Sequence, residues 1–202
     1  MRLRILEHGH RPRNRLALRL MRAVAGTEPD DVIKTSLYRP RFFGRPWVRL
    51  LRRVMRGESE WSPGERELFA AFTSRLNTCR YCVGIHVGTA ALAFDAAITA
   101  ERLDNWREAG FAPKVAATLG LLEKVTLTPD DVSADDIERV AAAGVSEAAI
   151  VDALYVCFLF NLVNRLANAL GYDWGTEADA LKAAAVLMRV GYRLPGSGFL
   201  LS

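Results

Sequence analysis

An all-α fold is predicted for this 202-residue chain by three observations. Apolar residues recur at helical spacing through nearly every segment, Ser/Thr/Pro start signals precede several of those segments, and no run alternates polar with apolar β-branched residues as a strand would. The length fits one domain, or one domain with an extension, and is enough to bury a real core. Half of the residues are hydrophobic and a quarter are charged, a globular composition rather than a disordered one.

The elements follow in order. Residues 15–25 form an amphipathic stretch closed by Gly26, and Glu28-Pro29-Asp30-Asp31 opens a second short helix. Pro40, Gly44 and Pro46 then break the pattern, with Tyr38, Phe42, Phe43 and Trp47 as apolar anchors between arginines. Ser62-Pro63-Gly64-Glu65 combines an N-cap hydroxyl, a first-position proline and a glutamate three residues after the cap, so a helix is expected over 63–76. Asn77 is expected to take the left-handed conformation that ends it and Thr78 to cap the next, which puts Cys79 in a first helical turn. Further helices are expected over 113–125, 134–143, 147–171 and 177–190.

Charge divides the chain. Residues 1–56 carry 15 Lys/Arg against 4 Asp/Glu, a balance of +11, and the remainder is at −7. Residues 1–56 are therefore read as a basic extension packed on an acidic core domain of residues 57–202, or as an arm for an acidic protein partner; no nucleic-acid motif accompanies it, and no nucleic-acid partner is expected. The N-terminal residues do not read as a secretory signal. The longest charge-free apolar stretch, residues 153–164, is well short of the roughly 20 needed to cross a bilayer, so no membrane association is expected. Three cysteines, Cys79, Cys82 and Cys157, are too few for a disulfide framework, which favours a cytoplasmic location.

The chemistry concentrates in Glu67, then eleven residues, then Cys79-Arg80-Tyr81-Cys82-Val83-Gly84-Ile85-His86. On a helix Cys79, Cys82 and His86 fall within an arc of roughly 60°, and Cys82 and His86 are i, i+4 neighbours. A helix N-terminus, an imidazolium and a second thiol each lower a thiol's pKa. A thiolate so placed can attack a peroxide to give a sulfenic acid, with which the second cysteine condenses to a disulfide. Zinc is the rival reading, with Cys157 or Glu67 as fourth ligand, and inert buried thiols are the plainest one. Haem attachment is excluded because Val83 stands where a histidine is required. Cys157 reads as a small core residue. Asn161, Asn164, Arg165 and Asn168 form a polar stripe, read either as facing solvent or a subunit or, through Asn161 or Asn164, as lining the thiol pocket.

The Glu67, Cys79, Cys82 and His86 pattern resembles the AhpD-like alkylhydroperoxidase family within the carboxymuconolactone decarboxylase superfamily, as do Ser62-Pro63-Gly64-Glu65-Arg66-Glu67-Leu68 and Phe160-Asn161-Leu162-Val163-Asn164-Arg165-Leu166-Ala167, which are similar to its peroxidase-related members. The resemblance spans roughly residues 62–171. It implies an AhpD-like helical core, no metal or organic cofactor, and a homo-oligomer, a trimer or a multiple of one. It also implies a hydroperoxide substrate reduced by Cys82 as peroxidatic thiol with Cys79 resolving, a Glu67–His86 proton relay, and a thiol reductant protein, lipoyl-bearing or a peroxiredoxin. Tyr81 replaces a histidine common before the second cysteine, which bears on the identity of that reductant. Helix position by itself favours Cys79 as the more acidic thiol. Two alternatives remain open: a lactone decarboxylase or isomerase using Glu67 and His86 as acid and base, and a redox-responsive binding protein.

Overall fold

The computed structural model describes residues 1–94 and 97–192. Among them are eleven α-helices and no strand: α1 (Ile5–His8), α2 (Pro12–Ala25), α3 (Asp31–Tyr38), α4 (Arg45–Arg56), α5 (Pro63–Leu76), α6 (Arg80–Phe94), α7 (Ala100–Asp104), α8 (Pro113–Leu127), α9 (Ala134–Ala142), α10 (Glu147–Leu170) and α11 (Glu177–Val190). The all-α expectation is met. Gly26 and Gly171, at φ 69° and 64°, end α2 and α10 in the left-handed region that only glycine enters without steric cost.

One expected break is not a break. Residues 40–44 wind as a π-helical turn that runs directly into α4. Pro46 is accommodated because it occupies the first turn, where its missing N–H has no carbonyl to serve. Of the four aromatic anchors, Trp47 is buried and stacks on Phe43 with ring centroids 5.9 Å apart, whereas Phe42 is 85% exposed.

Helix α5 is the centre of the molecule. Its start is fixed by the reciprocal capping box of Ser62 and Glu65, and Leu68, Phe69, Ala70, Ala71 and Phe72 are all essentially inaccessible. Fully burying each large apolar side chain contributes about 1.5–3 kcal/mol. The helix is enclosed by α6, α10 and α8, with Trp61 packed edge-on to Phe69 and donating its indole N–H to the Ala149 carbonyl at 2.7 Å. Helix α11 lies against α6 at a crossing of small residues, where a Cβ on Gly88 would meet the Ala184 methyl at 3.1 Å.

Helix α10 is the one described helix long and apolar enough to cross a membrane, and half of its most apolar window is buried in the core. The N-terminal segment is tied to the far end of α10: the Arg2 amide donates to the Leu170 carbonyl at 2.7 Å, and its guanidinium reaches the carbonyls of Asn168 and Ala169. Those are the orphan carbonyls that a helix C-terminus leaves unpaired.

Candidate functional site

The link between α5 and α6 sets the geometry of the thiols. The chain reverses on Thr78, at φ 53°, and not on Asn77, which stays at φ −81°. Asn77 is held there by its own side chain, whose Nδ2 donates to the Thr73 carbonyl at 3.0 Å and to Asn161 Oδ1 at 3.1 Å. A β-branched residue in the left-handed region is strained. The Thr78 hydroxyl donates to the Asn77 carbonyl at 2.8 Å and its amide to the Arg75 carbonyl at 3.0 Å, which helps to offset that cost.

The consequence falls on Cys79. Its amide donates to the Ser74 carbonyl at 3.0 Å, and its carbonyl accepts the first bond of α6, from the Val83 amide at 2.9 Å. Cys79 is therefore the N-cap of α6 rather than a member of its first turn, and its sulfur takes the role normally played by a serine oxygen, accepting from the backbone N–H of Cys82. The sulfurs of Cys79 and Cys82 lie 2.9 Å apart, both cysteines are free, and both side chains are buried.

Such a pair titrates as a unit. The hydrogen bond from Cys82 holds the Cys79 thiol below its ordinary range, outweighing the upward push of burial, with the Cys82 amide adding to the effect. The same hydrogen bond, together with burial and the neighbouring charge, pushes Cys82 well up. One proton leaves readily and the second is retained. The direction agrees with the helix-position argument for Cys79 as the more acidic thiol.

One turn along α6, the Nδ1 of His86 lies 2.7 Å from Glu67 Oε2 on α5. The imidazole is locked edge-on against Phe160, ring centroids 4.6 Å apart. Glu67 is completely buried, and its other oxygen accepts from Arg56 Nη2 at 2.6 Å and from the Tyr192 hydroxyl at 3.0 Å. Burial alone would raise the carboxyl's pKa; the hydrogen bonds and charges of His86 and Arg56 more than reverse this and hold it below the ordinary carboxylate range. The i, i+4 spacing sets His86 on the same face of α6 as Cys82.

The thiols sit in a small apolar cluster with Tyr81 and Ala167, against which Val32, Ile85, Tyr172 and Trp174 pack. Tyr81 meets Tyr172 edge to face at 5.2 Å, and its hydroxyl is buried without a hydrogen-bond partner among the described residues. Burial raises the Tyr81 pKa well above the ordinary phenol value, so this side chain is a neutral donor.

The asparagines behave differently from Tyr81. Asn161 Nδ2 donates to Thr126 Oγ1 at 3.2 Å and to the carbonyl and sulfur of Cys157 at 3.1 and 3.2 Å, while its Oδ1 accepts from Asn77, so it touches the other cysteine directly and the thiol pair only through the α5–α6 link. Asn164 is fully buried between α10 and α5, accepting from Ser74 Oγ at 3.2 Å; the expected surface stripe is interrupted there. Cys157 is fully buried, and desolvation raises its pKa.

Arg56 and Tyr192 are the site neighbours that sequence reasoning missed. Each looks ordinary locally, Arg56 as one of many arginines and Tyr192 as a residue beyond the last helix, and no periodicity links either to Glu67.

The model of the Carboxymuconolactone decarboxylase family matches residues 43–124, a span that runs from just before α4 through most of α8 and so includes Arg56 as well as the thiols. Uncharacterized protein YdfG of Bacillus subtilis (strain 168) is 28% identical over 107 residues, 52% of this chain and 73% of that protein. Two crystal structures share the fold. An uncharacterized peroxidase-related protein from Silicibacter sp. TM1040 aligns with a TM-score of 0.71 at 24% identity, covering 81% of this chain and 85% of that one. A second, described as an alkylhydroperoxidase AhpD core and an uncharacterized peroxidase-related protein, from Ralstonia eutropha JMP134, aligns with a TM-score of 0.73 at 24% identity, covering 87% and 91%. The family match covers the two helices that carry the thiols and the carboxylate, and the two solved structures share the all-α fold around them.

Proposed function

We propose that this chain is a cofactor-free thiol peroxidase that reduces alkyl hydroperoxides and cycles between dithiol and disulfide. The observation that carries the reading is the sulfur–sulfur approach of 2.9 Å at the N-terminus of α6, one turn from the His86–Glu67 pair. The pair passes one proton to His86 and becomes a monoanion that shares the other. The thiolate attacks the distal oxygen of ROOH, the O–O bond breaks, and the sulfur is oxidised to a sulfenic acid while RO⁻ departs and takes a proton from His86 to leave as ROH. The second sulfur then displaces hydroxide from the sulfenic acid; with one proton this leaves as water and the disulfide closes. A dithiol reductant returns the two electrons.

Which sulfur attacks first is open to two routes. The resemblance assigns attack to Cys82, which reaches its thiolate form by passing its proton to Cys79. The N-cap position favours Cys79 itself. Both use the same monoanion.

The further parts of the reading follow from this chemistry. A pair that must return to dithiol each cycle suits the reducing cytoplasm. Its thiols are fully covered in the monomer, so a reductant protein, lipoyl-bearing or a peroxiredoxin, would need the Val32 and Tyr172–Trp174 cover to yield. A homo-oligomer, a trimer or a multiple of one, would cover the exposed apolar row of Val151, Tyr155, Phe158 and Leu162 on α10. Residues 1–56 are assigned as an extension on the core of residues 57–202.

The test is a thiol count. One equivalent of a small alkyl hydroperoxide added to the reduced protein consumes two thiols and no more. A thiol count that does not change sinks the peroxidase and favours the lactone decarboxylase or isomerase, for which the Glu67–His86 pair would serve as acid and base. Slow oxidation that no dithiol reverses favours the redox-responsive binding protein.

A further inference from the structure

Glu67 has a full set of partners, and two of them lie outside the Glu–Cys–Cys–His pattern. Arg56, the last residue of α4, donates to Oε1 at 2.6 Å, and Tyr192, just past α11, donates to the same oxygen at 3.0 Å. The two donors also touch each other, with the guanidinium carbon 4.9 Å from the Tyr192 ring centroid. Among the described residues Oε2 bonds only to His86 Nδ1. Arg66, the neighbour of Glu67, is turned the other way: its guanidinium donates to the carbonyls of Val54 and Gly57, and its charge is felt by Asp152 of α10 first and by Glu67 second.

This division of the carboxylate has a chemical result. A buried carboxylate facing an imidazole alone would form a carboxylate–imidazolium pair, because the charged ring is what its charge stabilises. With Arg56 on the opposite oxygen part of the Glu67 charge is already compensated, so the carboxylate fixes Nδ1–H and draws a second proton onto the ring less strongly than it would alone. Nε2 then keeps its lone pair for the thiol pair's proton. The conformation of the carboxylate is fixed as well, since three donors from α4, α6 and the post-α11 turn reach it from different directions.

We infer that Arg56 and Tyr192 are positioning residues for the proton relay: they clamp Glu67 Oε1 so that Oε2 holds His86 by Nδ1–H and leaves Nε2 as the ring nitrogen that exchanges a proton. The inference deepens the peroxidase reading and rests on it for its purpose, though not for its test. It also gives the end of α4 and the segment after α11 a task at the site.

The experiment is nitrogen NMR of the histidine ring in the reduced full chain at pH 7.5, which needs no turnover. Wild type and Arg56→Lys are expected to show the same ring signal, with Nδ1 protonated and hydrogen-bonded. Arg56→Met is expected to raise the imidazolium population about tenfold, one unit of charge–charge effect, and Tyr192→Phe, which removes a donor but no charge, to raise it about twofold in the same direction. In the Glu67→Gln background Arg56→Met should change nothing, since Arg56 acts through the carboxylate; this double variant has no buried unpaired carboxylate and covers the case in which Arg56→Met alone does not fold. The same ring signal in wild type, Arg56→Met and Tyr192→Phe overturns the inference, as does an Arg56 effect that persists without the carboxylate. If hydroperoxide leaves the thiols untouched while the ring signals change as expected, the peroxidase reading fails and the clamp stands.

Discussion

The three cysteines occupy two environments that differ in one physical respect. Cys79 and Cys82 stand at a helix N-terminus, where a backbone N–H and a second thiol stabilise a negative sulfur. Cys157 lies in the middle of α10 and is equally buried, with Thr126 and Asn161 beside its sulfur and its helix amides paired along the helix. Accessibility does not separate them. What separates them is whether the folded backbone has an unpaired donor to offer, and the N-terminus of a helix is where such donors are found.

The largest way to break this contrast is to remove a sulfur. Cys79→Ser or Cys82→Ser is expected to abolish disulfide formation with hydroperoxide, while Cys157→Ser stays within about twofold of wild type because it leaves both helix-N-terminal sulfurs in place. Stopped-flow oxidation of the three variants reads this. Equal loss in all three would show that the two environments are not chemically distinct.

The relay comes next. His86→Ala is expected to slow hydroperoxide-driven thiol oxidation by about 10²–10⁴-fold, the range for loss of a positioned proton donor and acceptor, without changing the number of thiols consumed at completion. A rate within threefold of wild type would assign proton transfer to solvent.

A pH series sharpens the comparison further. The rate should rise with pH through the pair's first ionisation, which lies below the ordinary thiol value of 9.0, and then remain flat, because Cys82 holds the second proton far above it. Alkylation of Cys157, whose pKa is raised by burial, should still be climbing at the upper end of the same series. A second rise in the oxidation rate near that ordinary value would mean that the two thiols ionise independently.

The smallest effect concerns stability. Glu67 has its pKa lowered on folding, so its contribution is fully present above the ordinary value of 4.5 and is lost as pH falls through the depressed folded value. Thermal stability should therefore fall as the pH is lowered below the ordinary value of 4.5, and Glu67→Gln should flatten that dependence. An unchanged slope in the variant would place the acid sensitivity elsewhere.

Much of this arrangement was legible in the chain because it is local. The capping box at Ser62 and Glu65 lies within four residues, and the Cys79, Cys82, His86 face follows from helical periodicity. The reversal point was misplaced by one residue, since Asn77 is the better left-handed residue in isolation and is kept from that role by a bond to Asn161, 84 positions away. The clamp on Glu67 was invisible for the same reason: Tyr192 meets it across 125 positions. The spacing of Asn164 fits a polar stripe facing solvent or a subunit as well as a lining of the thiol pocket, and does not tell them apart; it is buried and pairs with Ser74 across the α5–α10 contact. Contacts between distant segments leave no periodic mark, and buried polar residues violate the pattern from which faces are read.

The most direct measurement is thiolate absorbance followed from pH 5 to 10 in the reduced wild-type chain and in each single-cysteine-to-serine variant of the pair. The wild type should gain one thiolate below the ordinary thiol value of 9.0 and no second one from the pair in that interval, and each variant should lose the early step. Two separate ionisations at the ordinary value, unchanged when either partner is replaced, would contradict a shared proton between Cys79 and Cys82.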